Sequence, residues 1–531
     1  MIKLFKSEKT SYKLLTLAVL AAAIFFVCRI CYAAYLALPY SRELLEPANV
    51  ALTNTFLSGK SPYTLSSLEW DVPGINYDYP FLNSLLAAAI AKITTCNTVT
   101  VHLIISFASI LISGYIGILM VKDHTKTTVA PALAMLMFMF CHWRFGYISA
   151  SPDGLGLLLF LLTLYTVVNH KVKHKPIWCA IGITLCFYTK QYFVFVAVPV
   201  FIYMLLYSRK EALKLLAYTI ALNVVIALLI TRFWPLYWMR AFAFTYLGTV
   251  LGGGTKLATL MEQLGYLVYS FAAFFGIVVI AAVFGIRKLR KSGYKLTGIR
   301  IHENDSFALS VVGSIVMTVP LAFLGRNDGA FISYFLQLWM PFISIVALVS
   351  FERLKQGNRE FLFQCAYFII TVLTVYLGFG RLPQHILTQE EIANWQKAYE
   401  YTRMYSEKGD VFYSRSLAYD GFIRQNGQWQ CGHEGEVSTG TVDQVIAAGF
   451  PIEAFPNMAR LVDQNLRYRQ ELLEKGENHG YSLITFEPGT SRVLMGDEEC
   501  TQSGYHKIDT LPLQLGNMQY DVEFYALEYI R

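Results

Sequence analysis

The stretch LLTLAVLAAAIFFVCRICYAAYLAL, Leu14 to Leu38, follows four lysines (Lys3, Lys6, Lys9 and Lys13) and contains a single charge, Arg29. A bilayer core of about 30 Å is spanned by about 20 apolar residues in a helix, so this segment is long enough to cross. Its apolar length exceeds that of a cleaved signal peptide, and it reads as an anchor whose basic end stays in the cytoplasm. Outward from it, further apolar runs fall near 98–121, 127–143, 154–168, 176–189, 192–208, 212–230, 263–286, 306–325, 333–351 and 361–379. With the anchor they predict a polytopic α-helical membrane protein of about eleven transmembrane helices. The run Pro80 to Ile93 is too short to cross and reads as an interfacial helix.

The composition agrees. Of 531 residues 55% are hydrophobic and 15% charged, whereas a soluble domain carries about 25% charged residues. That excludes an ordinary soluble enzyme, and the wealth of Tyr and Phe excludes disordered and collagen-like chains. The net charge of +7 does not point to nucleic acid, because in a membrane protein charge is read loop by loop. With the N-terminus inside, inner loops hold 21 Lys and Arg and outer loops nine. This bias predicts a cytoplasmic N-terminus and an outside C-terminus.

After Gly380 the chain turns polar, with 13 Lys and Arg against 22 Asp and Glu. We expect a membrane part over 1–380, with a first outer loop at about 39–79, and a small extracytoplasmic α+β domain over 381–531. Helices are predicted over Glu390–Tyr405 and Arg460–Glu474, and strands over Val411–Tyr413, Tyr481–Phe486 and Tyr520–Tyr525. Cys431 and Cys500 are the cysteines of this part, and an oxidising compartment would permit a bridge between them.

Charges buried in lipid are costly and usually functional. Only Arg29 sits deep, which argues against an ion-coupled transporter; it can snorkel, pair with a carboxylate or hold a lipid phosphate. The chemistry is therefore sought on the outer face. Five carboxylates crowd the first outer loop: Glu43, Glu46, Glu69, Asp71 and Asp78. Leu44 to Phe56 can form a helix along the bilayer surface with Pro47 in its first turn. Glu46 is then either a helix cap that gains from the dipole or a base facing an outer cavity. Asp153, in Ser151-Pro152-Asp153-Gly154, has the same two readings. Lys190 and Arg326 lie at outer span ends, where cations bind phosphates or anchor in the headgroups. No G-x-G-x-x-G, P-loop, H-E-x-x-H or G-x-S-x-G motif is present.

Taken together, Glu46, Gly59-Lys60-Ser61-Pro62-Tyr63, Tyr79-Pro80 and Ser151-Pro152-Asp153 resemble the GT-C superfamily of integral-membrane glycosyltransferases. They are similar in particular to the bacterial relatives of dolichyl-phosphate-mannose protein mannosyltransferases and of the lipid A aminoarabinose transferase. The resemblance covers about 1–380. It departs from the common pattern in two places: Leu45 stands where a paired Asp-Glu often occurs, leaving Glu43 as a rival base, and Phe81 follows Tyr79-Pro80.

The resemblance implies inverting transfer of a sugar from a polyprenyl-phosphate-linked donor to an extracytoplasmic acceptor, which is a lipid, a glycan or a protein. It implies Glu46 as base, Asp153 as its partner, Lys190 and Arg326 on the donor phosphate, and Tyr63, Asp78 and Tyr79 lining the substrate cavity. A divalent metal is left open as a cofactor. Two other readings stand beside this one: a non-catalytic lipid or glycan transporter, and a polysaccharide polymerase or ligase using a lipid-diphosphate glycan.

Overall fold

The computed structural model describes residues 2–37, 40, 46–70, 79–142, 148–243, 257–291, 301–324, 331–353, 358–374, 385–414, 417, 446–447, 449–487, 495–515 and 518–527. The chain is mostly helical. Its opening elements are α1 (Thr10–Ala37), α2 (Glu46–Leu57), α3 (Leu82–Thr94), α4 (Thr98–Val121), α5 (Val129–Phe140), α6 (Asp153–Val168) and α7 (Lys175–Thr189). Among the described residues, five helices are long and apolar enough to cross a membrane: Thr10–Ala37, Thr98–His124, Arg209–Phe233, Ser306–Leu324 and Phe331–Phe351. Ala258–Tyr269 and Phe271–Val283, bent by 78° between them, make a sixth if they count as one span.

The other apolar runs form shorter helices. Helix α5 has 12 residues and α6 has 16, so at 1.5 Å per residue they rise only about 18 and 24 Å, short of a hydrocarbon core of about 30 Å. Asp153 is the first residue of α6.

Helix α4 lies at the centre of this region and packs against both α5 and α6. One of its faces, Thr98, His102, Ser106, Ser109 and Ser113, is polar yet buried, so these side chains look onto protein and not onto lipid. Small residues allow close packing, as is usual between membrane helices. A Cβ on Gly117 would lie 2.7 Å from the backbone oxygen of Ala134. By contrast, only Ala212, Leu215 and Ile230 are buried along Arg209–Phe233. The exposed apolar side chains on that helix suit a lipid-facing surface.

The C-terminal part forms a four-stranded sheet in the order β1-β2-β4-β3, from β1 (Asp410–Phe412), β2 (Tyr481–Phe486), β3 (Tyr505–Leu515) and β4 (Met518–Leu527). Strands β1 and β2 are parallel, and β4 runs antiparallel to β2 and β3. Helix α8 (Gln389–Ser406) opens with a capping box, the Thr388 hydroxyl accepting from Glu391 N and the Glu391 carboxylate accepting from Thr388 N. Its Trp395, Ala398 and Tyr399 join Leu483, Leu513 and Phe524 in a common core. Helix α9 (Pro456–Glu477) starts with Pro in its first turn.

This part is seated on the first loop of the membrane part. Tyr40 stacks on Trp395 with ring centroids 5.1 Å apart. Gln464 of α9 donates from Nε2 to the carbonyls of Ser67 (3.0 Å) and Trp70 (3.1 Å), beside an apolar contact of Leu68 and Leu236 with Met458, Leu461 and Val462. The sheet and the loop that follows α1 thus share one side of the molecule.

The expected Cys431–Cys500 bridge is not carried by the structure. Cys431 lies outside the described residues, and Cys500 is a free, buried thiol. It packs with Ile484, Met495 and Tyr525, and its Sγ donates to the Met495 carbonyl at 3.9 Å. Burial first, and then the charge of Glu499, push this thiol up to about 12, so it behaves as an inert core group.

Gly117→Ala should lower the thermal midpoint of the solubilised protein, because overpacking against a backbone atom costs about 1–3 kcal/mol. Gly265→Ala, where a Cβ meets nothing within 4 Å, should leave the midpoint unchanged or raise it slightly. Intrinsic-fluorescence melts of both variants would check this.

Candidate active site

Helix α2 presents the first carboxylate. Glu46 stands in its first turn and is fully buried. The helix ends in a Schellman motif: Gly59 N donates to Phe56 O at 3.0 Å and Lys60 N to Thr55 O at 3.1 Å. Gly59 holds φ +76° there, a conformation glycine adopts without a Cβ clash. Glycine in Gly59-Lys60-Ser61 is thus a helix stop.

Glu46, Asn49 and Thr53 are spaced three and four apart, which places them on one helix face, and all are buried. That face is pinned from below. The Thr53 hydroxyl donates to Asn49 O at 2.9 Å and lies 2.7 Å from His102 Nε2. With the hydroxyl proton spent on the carbonyl, Nε2 must carry the hydrogen and donate to Thr53. His102 Nδ1 then accepts from Asn83 Nδ2 at 3.4 Å. Ser84 Oγ adds a bond to Asn49 O at 3.2 Å. Helices α2, α3 and α4 are locked together by this network, which fixes the rotation of α2 and with it the aim of Glu46.

The segment before α6 brings in the second carboxylate. Ala150 N donates to Glu46 Oε1 at 2.8 Å, and three residues later Asp153 opens α6, 5% exposed. Asp153 Oδ2 accepts from Lys190 Nζ at 2.7 Å and from the Ser151 hydroxyl. Asp153 Oδ1 accepts from the Tyr192 hydroxyl at 2.6 Å and from Gln337 Nε2 at 3.2 Å. Lys190, only 2% exposed, sits over the ring of Tyr79 at 4.1 Å and that of Tyr192 at 5.0 Å. These are cation–π distances, so the buried ammonium is matched by a carboxylate and two aromatic faces.

A third layer comes from the rest of the first loop. Tyr63 is fully buried and meets Tyr237 edge-on at 5.1 Å and Trp234 at 5.5 Å. Its backbone oxygen accepts from Leu236 N at 3.0 Å. Burial pushes the Tyr63 phenol above its ordinary range, opposed by the nearby guanidinium of Arg240, itself fully buried. Phe81 completes the cluster, 4.9 Å from Trp234.

The structure therefore brings together Glu46, Asp153, Lys190 and Tyr79 and places Tyr63 in an adjoining aromatic cluster. Glu43, Asp78 and Arg326 lie outside the described residues. Sequence reasoning missed Tyr192, Gln337, His102 and the amide of Ala150. Polar residues inside apolar runs, such as His102 and Gln337, are the signal that could have found two of them. A divalent metal does not fit what is described. The Lys190 ammonium occupies the flank of Asp153 that a cation would need, and no group of three or more His, Cys, Asp and Glu converges among the described residues.

No family model matches the chain, and no curated protein matches it by sequence. Among solved structures it is similar to ArnT from Cupriavidus metallidurans bound to undecaprenyl phosphate, with a TM-score of 0.47 and 10% identity over 96% of this chain and 97% of that one. It is also similar to the arabinofuranosyltransferase AftD from Mycobacteria, with a TM-score of 0.46 and 12% identity over 96% of this chain and 40% of that one.

Proposed function

We propose that the chain is a GT-C-type glycosyltransferase of the bacterial plasma membrane that transfers a sugar, with inversion, from a polyprenyl-phosphate-linked donor to an acceptor outside the cytoplasm. The observation that carries this reading is the division of labour between two carboxylates. Asp153 has both oxygens taken by Lys190, Ser151, Tyr192 and Gln337, which suits an orienting and electrostatic role. Glu46 accepts from the Ala150 amide of the same segment and opens α2 on a face pinned by His102 and Asn83, and it is assigned the base.

In this reading Glu46 takes the proton of the acceptor hydroxyl. The acceptor oxygen bonds to the anomeric carbon from the face opposite the phosphate, and the bond from that carbon to the phosphate oxygen breaks. The polyprenyl phosphate leaves with the electron pair. A phosphate is a competent leaving group, so no general acid is needed, but its developing charge needs cations. Lys190, buried against Asp153, and Arg326 supply the cations that hold the donor phosphate.

The topology belongs to the same proposal: about eleven crossings, the shorter helices included, with residues 1–380 forming the membrane part and 381–531 an extracytoplasmic domain. The packing of Tyr40 on Trp395 and the grip of Gln464 on the first loop support placing the sheet on the side of that loop, opposite the N-terminus. Alkaline phosphatase fused after Arg531 should be active in intact cells. A fusion active only after cell lysis would reverse the orientation.

Glu46→Gln should lose about 10²- to 10⁴-fold in turnover, the contribution of a positioned base, while binding of undecaprenyl phosphate persists. A dead Glu43→Gln beside an active Glu46→Gln would move the base to Glu43. If both variants keep the wild-type activity, no base is needed and the transporter reading moves ahead.

Lys190→Met should be doubly harmful, because removing one partner of a buried ion pair costs about 3–5 kcal/mol and the phosphate loses a cation. In the double variant Lys190→Met with Asp153→Asn, stability should largely return and donor binding should not. Recovery of both would reduce Lys190 to a counter-ion for Asp153.

A further inference from the structure

Helix Arg209–Phe233 keeps its exposed apolar surface up to its last residue, with Leu228 and Phe233 each 66% exposed. Trp238, five residues past that end, turns back and donates from Nε1 to the Thr231 hydroxyl at 3.0 Å. Tryptophans collect at membrane–water boundaries, so the turn at 234–239 stands at the level where a bilayer ends against this helix.

The C-terminal part reaches the same level. Leu236 and Met239 of that turn pack with Met458, Leu461 and Val462 of α9 and with Phe450 and Ile452 ahead of it. The ring of Phe455 stacks on that of Phe450 with centroids 5.8 Å apart, yet Phe455 remains 46% exposed. Pro451, Ala454 and Pro456 are exposed with it. Glu453 is the single charge from Phe450 to Pro456.

The backbone of this short stretch suits a poorly hydrated layer. Ile452 N donates to Phe450 O at 2.7 Å, Ala454 N to Pro451 O at 3.1 Å, Phe455 N to Ile452 O at 2.9 Å and Met458 N to Phe455 O at 2.9 Å. The two prolines bring no N–H. Amides spent inside the segment do not have to be stripped of water when it leaves the aqueous phase.

We propose that Phe450–Pro456 is a membrane-dipping wedge. Its exposed face, Phe455 foremost, lies among lipids at the boundary of headgroups and acyl chains beside the Phe233 end of the Arg209–Phe233 helix. It fastens the C-terminal part to the bilayer as well as to the first loop. Continuity selects this occupant, because the lipid-facing surface of the helix leads through the 234–239 turn directly to the segment packed on it. The one charge in the segment is acidic, so burial of apolar surface drives the contact and not attraction to anionic headgroups. The inference needs only that Arg209–Phe233 crosses the bilayer, and it stands or falls apart from sugar transfer.

The test places the photoreactive p-benzoylphenylalanine at position 455 of the full chain in nanodiscs of phosphatidylcholine and phosphatidylglycerol, and identifies the products of irradiation by mass. Position 233 is the lipid-facing control. Position 477, exposed at the other end of α9, is the control for random collisions. At 455 the adduct should be a phospholipid, with a yield near that at 233, several-fold above that at 477 and unchanged by high salt. In a second measurement, Phe455→Trp should add fluorescence that acyl chains brominated near the headgroup quench and aqueous acrylamide does not.

A lipid yield at 455 no higher than at 477, or added fluorescence quenched by acrylamide and not by brominated lipid, would leave the segment in water and overturn the proposal. A product with twice the mass of the chain would give the patch to a second copy. An adduct formed only after undecaprenyl phosphate is added would give it to that lipid. Either of these outcomes also overturns the bilayer contact.

Discussion

A carboxylate taken out of water must be matched where it lies, and Asp153 is matched from three separate stretches of chain. Its own turn supplies Ser151, the end of α7 supplies Lys190 with Tyr192 close behind, and a helix near residue 340 supplies Gln337. Each of these donors would carry its own penalty if the carboxylate were absent, so the cluster specifies one arrangement of α6, α7 and the 331–351 helix and penalises others. The position of Asp153 at a helix start adds a favourable dipole interaction. The Glu46 side of the site depends on this arrangement, because the amide that holds Glu46 belongs to the turn that Asp153 anchors.

Asp153 and Lys190 are both buried, and behind a protein wall the attraction between the two charges is stronger than in water. The polar face of α4 supplies this protein wall. His102 pins α2 through Thr53, Ser106 accepts from the Ser149 amide at 3.4 Å, and Ser113 meets His142.

Much of this was legible in the sequence where a local rule carries the signal. Pro47 marks the start of α2 and so the position of Glu46. The capping residue Thr388 with Glu391 marks α8, and strand β2 falls on the expected Tyr481–Phe486, all six residues of which are buried. What was not legible depends on distance along the chain. Tyr192 and Gln337 lie 39 and 184 residues from Asp153, and nothing in their spacing announces the meeting. Hydropathy finds apolar runs but not where a helix is cut, so the runs at 127–143 and 154–168 resembled full spans. Strand β3 escaped because Pro512 interrupts its pattern; the structure places it at the sheet edge, where a missing N–H is tolerated.

The seating of α9 on the first loop bears on how the molecule comes into being. The loop carbonyls at Ser67 and Trp70 are made early in synthesis, and the Gln464 amide that caps them nearly 400 residues later. Until then the loop edge has water as its partner, and the aromatic cluster around Tyr63 has one side uncovered at Leu68 and Leu236. A chain interrupted before residue 456 can insert its helices but cannot finish this layer. Translation order thus makes a late piece of the molecule a clamp on one of the first, and premature termination leaves the loop after α1 unclamped.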